Sequence, residues 1–282
     1  MWVIVRGGLG NQMFQAAFAI SVSRRFAVTP RFVDLTSIAA VPRRWELGCF
    51  GITPTPVDDF TRFRLVAISY ASQKLNRSGL HGWPGVLSDN NCRLCTGELT
   101  RAPRMIVGYW QSEGFFADYA ETIRELFSMP DLSAFASTPD PVDDCPSVAI
   151  HVRRGDYVSN PVASRTHLVC DAEWYRRAWR AIRLEHPRAR AMVFSDDADW
   201  TRTNLDLDGD IEYMDGVPDT EPWVDLARMS QCQHFIISNS SFSWWAAWLG
   251  RDPQKRVIAP REWFAGRATA ELGIAPEEWT LL

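Results

Sequence analysis

The chain has 282 residues, of which 46% are hydrophobic and 23% charged, values that exclude a disordered, collagen-like or low-complexity protein and fit about two globular domains. Thirty basic residues stand against 34 acidic ones, a net charge of −4, so no overall basic field favours nucleic acid. All the basic residues but Lys74 and Lys255 are arginines, so a single arginine is weak evidence for an anion site here.

In chain order, Trp2–Arg6 is a short β-branched run that ends in Gly7-Gly8-Leu9-Gly10. Met13, Phe14, Ala17, Phe18 and Val22 then recur at near-helical spacing, which predicts strand, glycine turn and helix. Arg31–Asp34 predicts a second strand and a βαβ opening. Residues 40–105 show little periodicity. Gln111–Phe127 predicts one helix, with Phe115, Phe116, Tyr119, Ile123 and Leu126 on a face. The prolines and aspartates of 137–146 predict a linker between an N-terminal domain, 1–138, and a C-terminal one, 147–282. Strands follow at Val148–Val152, Ala191–Phe194, Phe235–Ser238 and Arg256–Ala259. Helices are predicted at Ala172–Glu185, Pro222–Met229 and Phe242–Leu249. Strands alternating with helices on both sides of the joint describe two doubly wound α/β domains.

In open α/β sheets ligands lie beyond the carboxyl ends of strands, and four such ends here are polar. His151 and Arg153 share a strand face, and the Arg153-Arg154 pair suits a phosphate, unless Asp156 merely neutralises it. Ser240 and Ser241 sit where a helix N-cap belongs, ahead of Phe242, and the amides of such a terminus bind anions. Asp197-x-Asp199 could hold a divalent metal, an Asp of Ser195-Asp196-Asp197 could accept from guanine, or the loop could be a solvated cap. Gly8 and Gly10 begin a dinucleotide fingerprint, with Asp34 at a ribose-binding distance, but Met13 occupies the third glycine position. The six cysteines read as reduced thiols. Cys92 and Cys95 have zinc-like spacing without a second ligand pair, and Asn239-Ser240-Ser241 matches a glycosylation sequon. The start of the chain lacks the pattern of a secretory signal, and no run is long and apolar enough to span a bilayer, so the expectation is a cytoplasmic protein.

Gly7-Gly-Leu-Gly-Asn-Gln-Met-Phe-Gln15, His151-Val-Arg-Arg-Gly-Asp-Tyr157, Phe194-Ser-Asp-Asp197 and Ser238-Asn-Ser-Ser-Phe-Ser-Trp-Trp-Ala-Ala-Trp-Leu249 closely resemble motifs of the bacterial α-1,2-fucosyltransferases, glycosyltransferase family 11. Val257–Phe264 looks like the family's C-terminal segment, and Ala16 departs from its usual Tyr. The resemblance implies a GT-B-like fold, two Rossmann-like domains facing a central cleft, the first on the acceptor side and the second binding GDP-β-L-fucose. It implies inverting transfer to O2 of a galactose in an oligosaccharide, with no metal or other cofactor. By residue, it assigns Arg153 to the β-phosphate and Arg154 to its support, with His151 near donor and phosphate. It gives guanine to Asp197 ahead of Asp196, the diphosphate and base pocket to Ser240, Ser241 and Phe242, and the donor phosphates to Asn11 with Gly10. His151 and Asp156 are the candidates for proton acceptor. Family analogy places the enzyme in O-antigen biosynthesis, in peripheral contact with the inner face of the cytoplasmic membrane. Three alternatives are another GDP-sugar transferase, a dinucleotide-dependent oxidoreductase and a non-catalytic glycan-binding protein.

Overall fold

A computed structural model describes residues 1–38, 42–77, 84–89, 99–129, 145–160, 164, 170–214 and 221–282, the side chains of 76, 77, 156 and 159 excepted. The chain divides into two compact units, Met1–Met129 and Pro130–Leu282. Of the expected linker, 137–144 lie outside the described residues, as do Cys92 and Cys95.

Unit 1 carries strands β1 (Trp2–Val5), β2 (Arg31–Asp34), β3 (Val86–Ser88) and β4 (Met105–Val107), and helices α1 (Leu9–Phe26), α2 (Asp59–Arg77) and α3 (Ala120–Leu126). Its sheet is parallel throughout, in the order β2-β1-β4-β3. The expected β1, α1 and β2 are all present. Gly7 takes φ +81, a left-handed turn that glycine makes at no steric cost and that starts α1 directly after the strand. Met13, Phe14, Ala17 and Phe18 are fully or almost fully buried along the helix.

The helix expected over 111–127 is instead two 3₁₀ turns, Glu113–Phe115 and Ala117–Tyr119, followed by the seven-residue α3. The Ser112 side chain accepts from the Gly114 amide and starts a tight turn. Two consecutive rings are thereby packed beneath α1: Phe115 against Phe18 and Trp110, Phe116 against Phe14.

Unit 2 contains β5 (Ser147–Val152), α4 (Gly155–Ser159), α5 (Ala172–Glu185), β6 (Arg190–Ser195), α6 (Ala198–Asn204), β7 (Asp210–Tyr213), α7 (Pro222–Ser230), β8 (His234–Ile236), α8 (Ser241–Leu249) and β9 (Val257–Ala259). A short antiparallel pair, β10 (Glu262–Phe264) and β11 (Arg267–Ala268), precedes β12 (Thr280–Leu281). Six strands form a parallel sheet, β12-β9-β8-β5-β6-β7. Alternation along β5 sends Val148, Ile150 and Val152 into a core shared with Tyr175, Ala178, Trp179 and Ile182 of α5. Those four sit at i, i+3, i+4 and i+7, the buried stripe of an amphipathic helix, and the Asp171 side chain caps its start by accepting from Trp174 N at 2.7 Å. His151 therefore lies on the opposite face of the sheet. Both units are Rossmann-like α/β layers of the GT-B-like class. Among the described residues no helix is long and apolar enough to cross a membrane.

Candidate functional site

In unit 2 the chain leaves β5 toward β6 and β7 on one side and returns to β8 on the other. Its connections therefore diverge at the β5–β8 pair, where open α/β sheets place ligands. His151, the last residue but one of β5, is 6% exposed. Its Nδ1 lies 3.0 Å from Ser238 Oγ beyond β8, and its ring centroid is 5.7 Å from that of Phe242. Burial drives its pKa down to about 4, with Asp196 opposing the shift and Arg153 adding to it. The imidazole is neutral at pH 7. The Tyr175 hydroxyl of α5 donates to the His151 carbonyl at 3.2 Å, and Tyr157 OH donates to the Asn239 carbonyl at 3.1 Å, the latter tying the two strand ends together.

Arg153 and Arg154 are each held by a carboxylate from the end of β6. Arg153 Nη1 lies 2.8 Å from Asp196 Oδ2, with the guanidinium 5.5 Å from the Tyr157 ring centroid. Arg154 Nε lies 3.2 Å from Asp197 Oδ2, and its guanidinium stacks 3.7 Å from the Trp200 ring centroid. Asp196 Oδ1 also accepts from the Arg154 amide at 2.8 Å. This fit depends on Gly155, because a Cβ there would stand 2.4 Å from Asp196 Oδ2. Asp197 uses Oδ1 to accept from Trp200 N at 3.2 Å, so it caps α6 as well as holding Arg154. Sequence reasoning named Asp156 as the neighbour that could neutralise the arginines. The structure supplies Asp196 and Asp197, and the Asp156 side chain is outside the described residues.

Ser240 is the N-cap residue of α8, but its side chain makes no capping bond, so the first-turn amides are left to other partners. Trp244, Trp245 and Trp248 of that helix are buried core. Asn239 donates to the Trp263 carbonyl at 3.0 Å, while its buried Oδ1 has no partner among the described residues. Such an orphan costs about 1–3 kcal/mol, which a ligand donor would relieve.

The glycine turn of unit 1 is built by two buried amides that the sequence alone did not single out. Gln15 accepts from Arg6 N and donates to Arg6 O, both at 2.9 Å. Gln12 donates to the carbonyls of Gly7 at 2.8 Å and Arg44 at 2.7 Å, and accepts from Glu46 N at 2.9 Å. Gly10 is buried in the first turn of α1. Asn11 stands against Gly7, where a Cβ would meet its Nδ2 at 2.7 Å, and its Oδ1 accepts from Gln111 Nε2 at 2.6 Å.

Residues 101–282, well over half the chain, match the family model for glycosyl transferase family 11. The chain belongs to this family. It is 30% identical to an Escherichia coli alpha-1,2-colitosyltransferase over 97% of this chain and 95% of that one. The Escherichia coli O-antigen biosynthesis glycosyltransferase WbnK is 28% identical over 96% and 97%. Human galactoside alpha-(1,2)-fucosyltransferase 1 is 33% identical over only 36% of this chain and 28% of its own. Among solved structures, a variant of Arabidopsis thaliana FUT1 in complex with GDP has the same fold at a TM-score of 0.53, with 12% identity, over 92% of this chain and 70% of that one. Family 11 membership makes this a glycosyltransferase with fucosyltransferase relatives and removes the oxidoreductase alternative. Met13, fully buried in the third glycine position of the would-be fingerprint, agrees with that result.

Proposed function

We propose that this family 11 enzyme transfers L-fucose from GDP-β-L-fucose to O2 of a galactose residue in a glycan, inverting the anomeric centre and using no metal. The observation that carries this reading is the adjacent arginine pair at the β5–β8 switch point, each guanidinium pre-set by a carboxylate, on a strand end tied through Tyr157 and Asn239 to the start of α8, whose N-cap Ser240 makes no side-chain capping bond. As the sugar–phosphate bond breaks, positive charge grows on the ring and negative charge on GDP. Donors fixed beforehand stabilise the leaving charge without reorganising. Arg153 takes the β-phosphate, Arg154 supports it, and Ser240, Ser241 and Phe242 complete the diphosphate and base pocket. Asp197, whose side chain is the more exposed of the two acids, reads guanine, and Asp196 holds Arg153. The family motif also assigns Asn11 and Gly10 to the donor. A buried imidazole with a pKa of about 4 is a poor match for accepting a proton at neutral pH, so His151 positions Ser238 and the strand end. The acceptor proton goes to Asp156. Asp156→Asn is expected to lower kcat at least a hundredfold with GDP affinity unchanged; an unchanged kcat removes that role.

The α-1,2-colitosyltransferase similarity favours a second reading, the same linkage with a colitosyl donor. The WbnK similarity supports a place in O-antigen biosynthesis; by analogy with the family we place the enzyme in the cytoplasm at the inner membrane face. A panel of GDP-sugars and galactosides, read by GDP release and product linkage, tests all of this. The expected result is α-1,2-fucosylation of a galactoside that survives EDTA within about twofold. Dependence on added Mn²⁺ or Mg²⁺ would favour the Asp197-x-Asp199 metal reading. Release of GDP only from a colitosyl donor would replace fucose as the donor sugar.

A further inference from the structure

Unit 1 has a switch point of its own. The chain leaves β1 for β2 on one side and reaches β4 from β3 on the other, so the connections part between β1 and β4. The parallel registers Ile4↔Val107 and Ser88↔Val107, continued past the strands, align Arg6 with Tyr109 and Asp89 with Gly108. The Arg6 guanidinium sits 5.2 Å from the Tyr70 ring centroid and donates to Ser69 Oγ at 2.8 Å. Tyr70 and Tyr109 are 53% and 42% exposed, large aromatic faces at a sheet end.

Tyr109 is presented on a rigid support. The Asp89 carboxylate accepts from the Tyr109 amide and from Trp110 N, the latter at 3.3 Å. It also fills the space beside Gly108, where a Cβ would fall 2.3 Å from Asp89 Cγ. Trp110, held at φ 58, is 1% exposed and stacks on Phe18 at 4.3 Å between centroids. A non-glycine residue in the left-handed region costs energy that the packing around it must meet. Burial raises the pKa of the Tyr109 phenol, with Arg6 opposing and Asp89 adding to the rise, so the hydroxyl stays protonated. The guanidinium is already engaged by a ring and a hydroxyl. What the cluster exposes is therefore aromatic face, chemistry suited to a neutral polyol whose C–H face stacks on a ring.

We infer that Arg6, Tyr70 and Tyr109 form the subsite that binds the acceptor glycan, with Tyr109 as its stacking platform. This rests on the proposed function, since it names residues for that reaction's second substrate. The full-length enzyme is assayed with a galactoside acceptor at saturating donor. Tyr109→Ala is expected to raise the acceptor KM at least tenfold while GDP affinity and acceptor-free donor hydrolysis stay within twofold. Tyr109→Phe, which keeps the ring, is expected to stay within threefold of wild type. An acceptor KM within twofold of wild type in Tyr109→Ala, or a parallel loss of GDP affinity, would overturn the assignment. If the wild type used no galactoside, the failure would belong to the proposed function. The subsite is then read by saturation-transfer NMR with the glycan panel and GDP present: signal abolished by Tyr109→Ala upholds it, signal retained refutes it.

Discussion

Arg153→Ala is expected to lower turnover roughly a thousandfold, the scale on which enzymes lose a donor fixed at a developing negative charge. That corresponds to about 4 kcal/mol of transition-state stabilisation. The fold should persist, because the side chain is 24% exposed and Asp196 keeps its bond from the Arg154 amide. Arg153→Lys should recover only part of the loss, since an ammonium keeps the charge and forfeits the planar fork. Asp196→Asn separates this role from a structural one. If Arg153 served only to neutralise Asp196, the two substitutions would weaken activity and the unfolding midpoint alike. Binding of the leaving phosphate by Arg153 makes Asp196→Asn the much milder change in kcat. Near-normal turnover in Arg153→Ala with an unchanged midpoint would remove the arginine from the reaction.

The second large effect concerns acid. His151 and His234 are both held down to about 4, mainly by burial, and both lie in unit 2. Around His151 stand Asp196 and Arg153; around His234 stand His186, Asp252, Arg256 and Glu185, and its Nδ1 accepts from Arg256 N at 3.1 Å. Both imidazoles are neutral in the folded state and titrate near 6.5 once unfolded, so the unfolded chain binds more protons below that pH. Their contribution to stability is complete above pH 6.5 and is lost as the pH falls toward 4. From pH 7 to 5 the pair should cost unit 2 on the order of 4 kcal/mol. Tryptophan-monitored urea unfolding at pH 7.5, 6 and 5 checks this. His234→Asn, which keeps an acceptor for Arg256 N without a titrating ring, should roughly halve the slope. A midpoint constant from pH 7 to 5 would show that the two rings are not buried neutral.

Where sequence reasoning succeeded, local pattern and tertiary environment agreed. The α5 stripe repeats at helical spacing over its whole length, and its predicted ends coincide with the observed ones. Helix α2 had no such agreement. Phe60 and Phe63 are each 70% exposed, while Ser69 and Ser72 are fully buried on the same helix as the core residue Leu65, so hydrophobicity alone does not mark its buried face. The polar strand ends of the candidate site were legible, because strands ending in charged and hydroxyl residues mark the carboxyl edge of a parallel sheet. Their partners were not. Asp196 and Asp197 come from the neighbouring strand, 42 and 43 positions beyond Arg154, and Gln111 reaches Asn11 across 100 positions. No local spacing encodes such pairs. Tyr109 and Asp89 were missed for the same reason, since β3 and β4 are three-residue strands that leave almost no alternation to read.

The central claim is that guanidinium groups and helix-terminal amides, rather than a bound cation, take the charge of the departing nucleotide. A crystal structure of the protein with GDP, grown in EDTA, tests it most directly. The account predicts diphosphate oxygens within hydrogen-bond distance of Arg153 and the amides that open α8. A diphosphate lying away from residues 153 and 240–242, or one that orders only when magnesium is supplied, would contradict it.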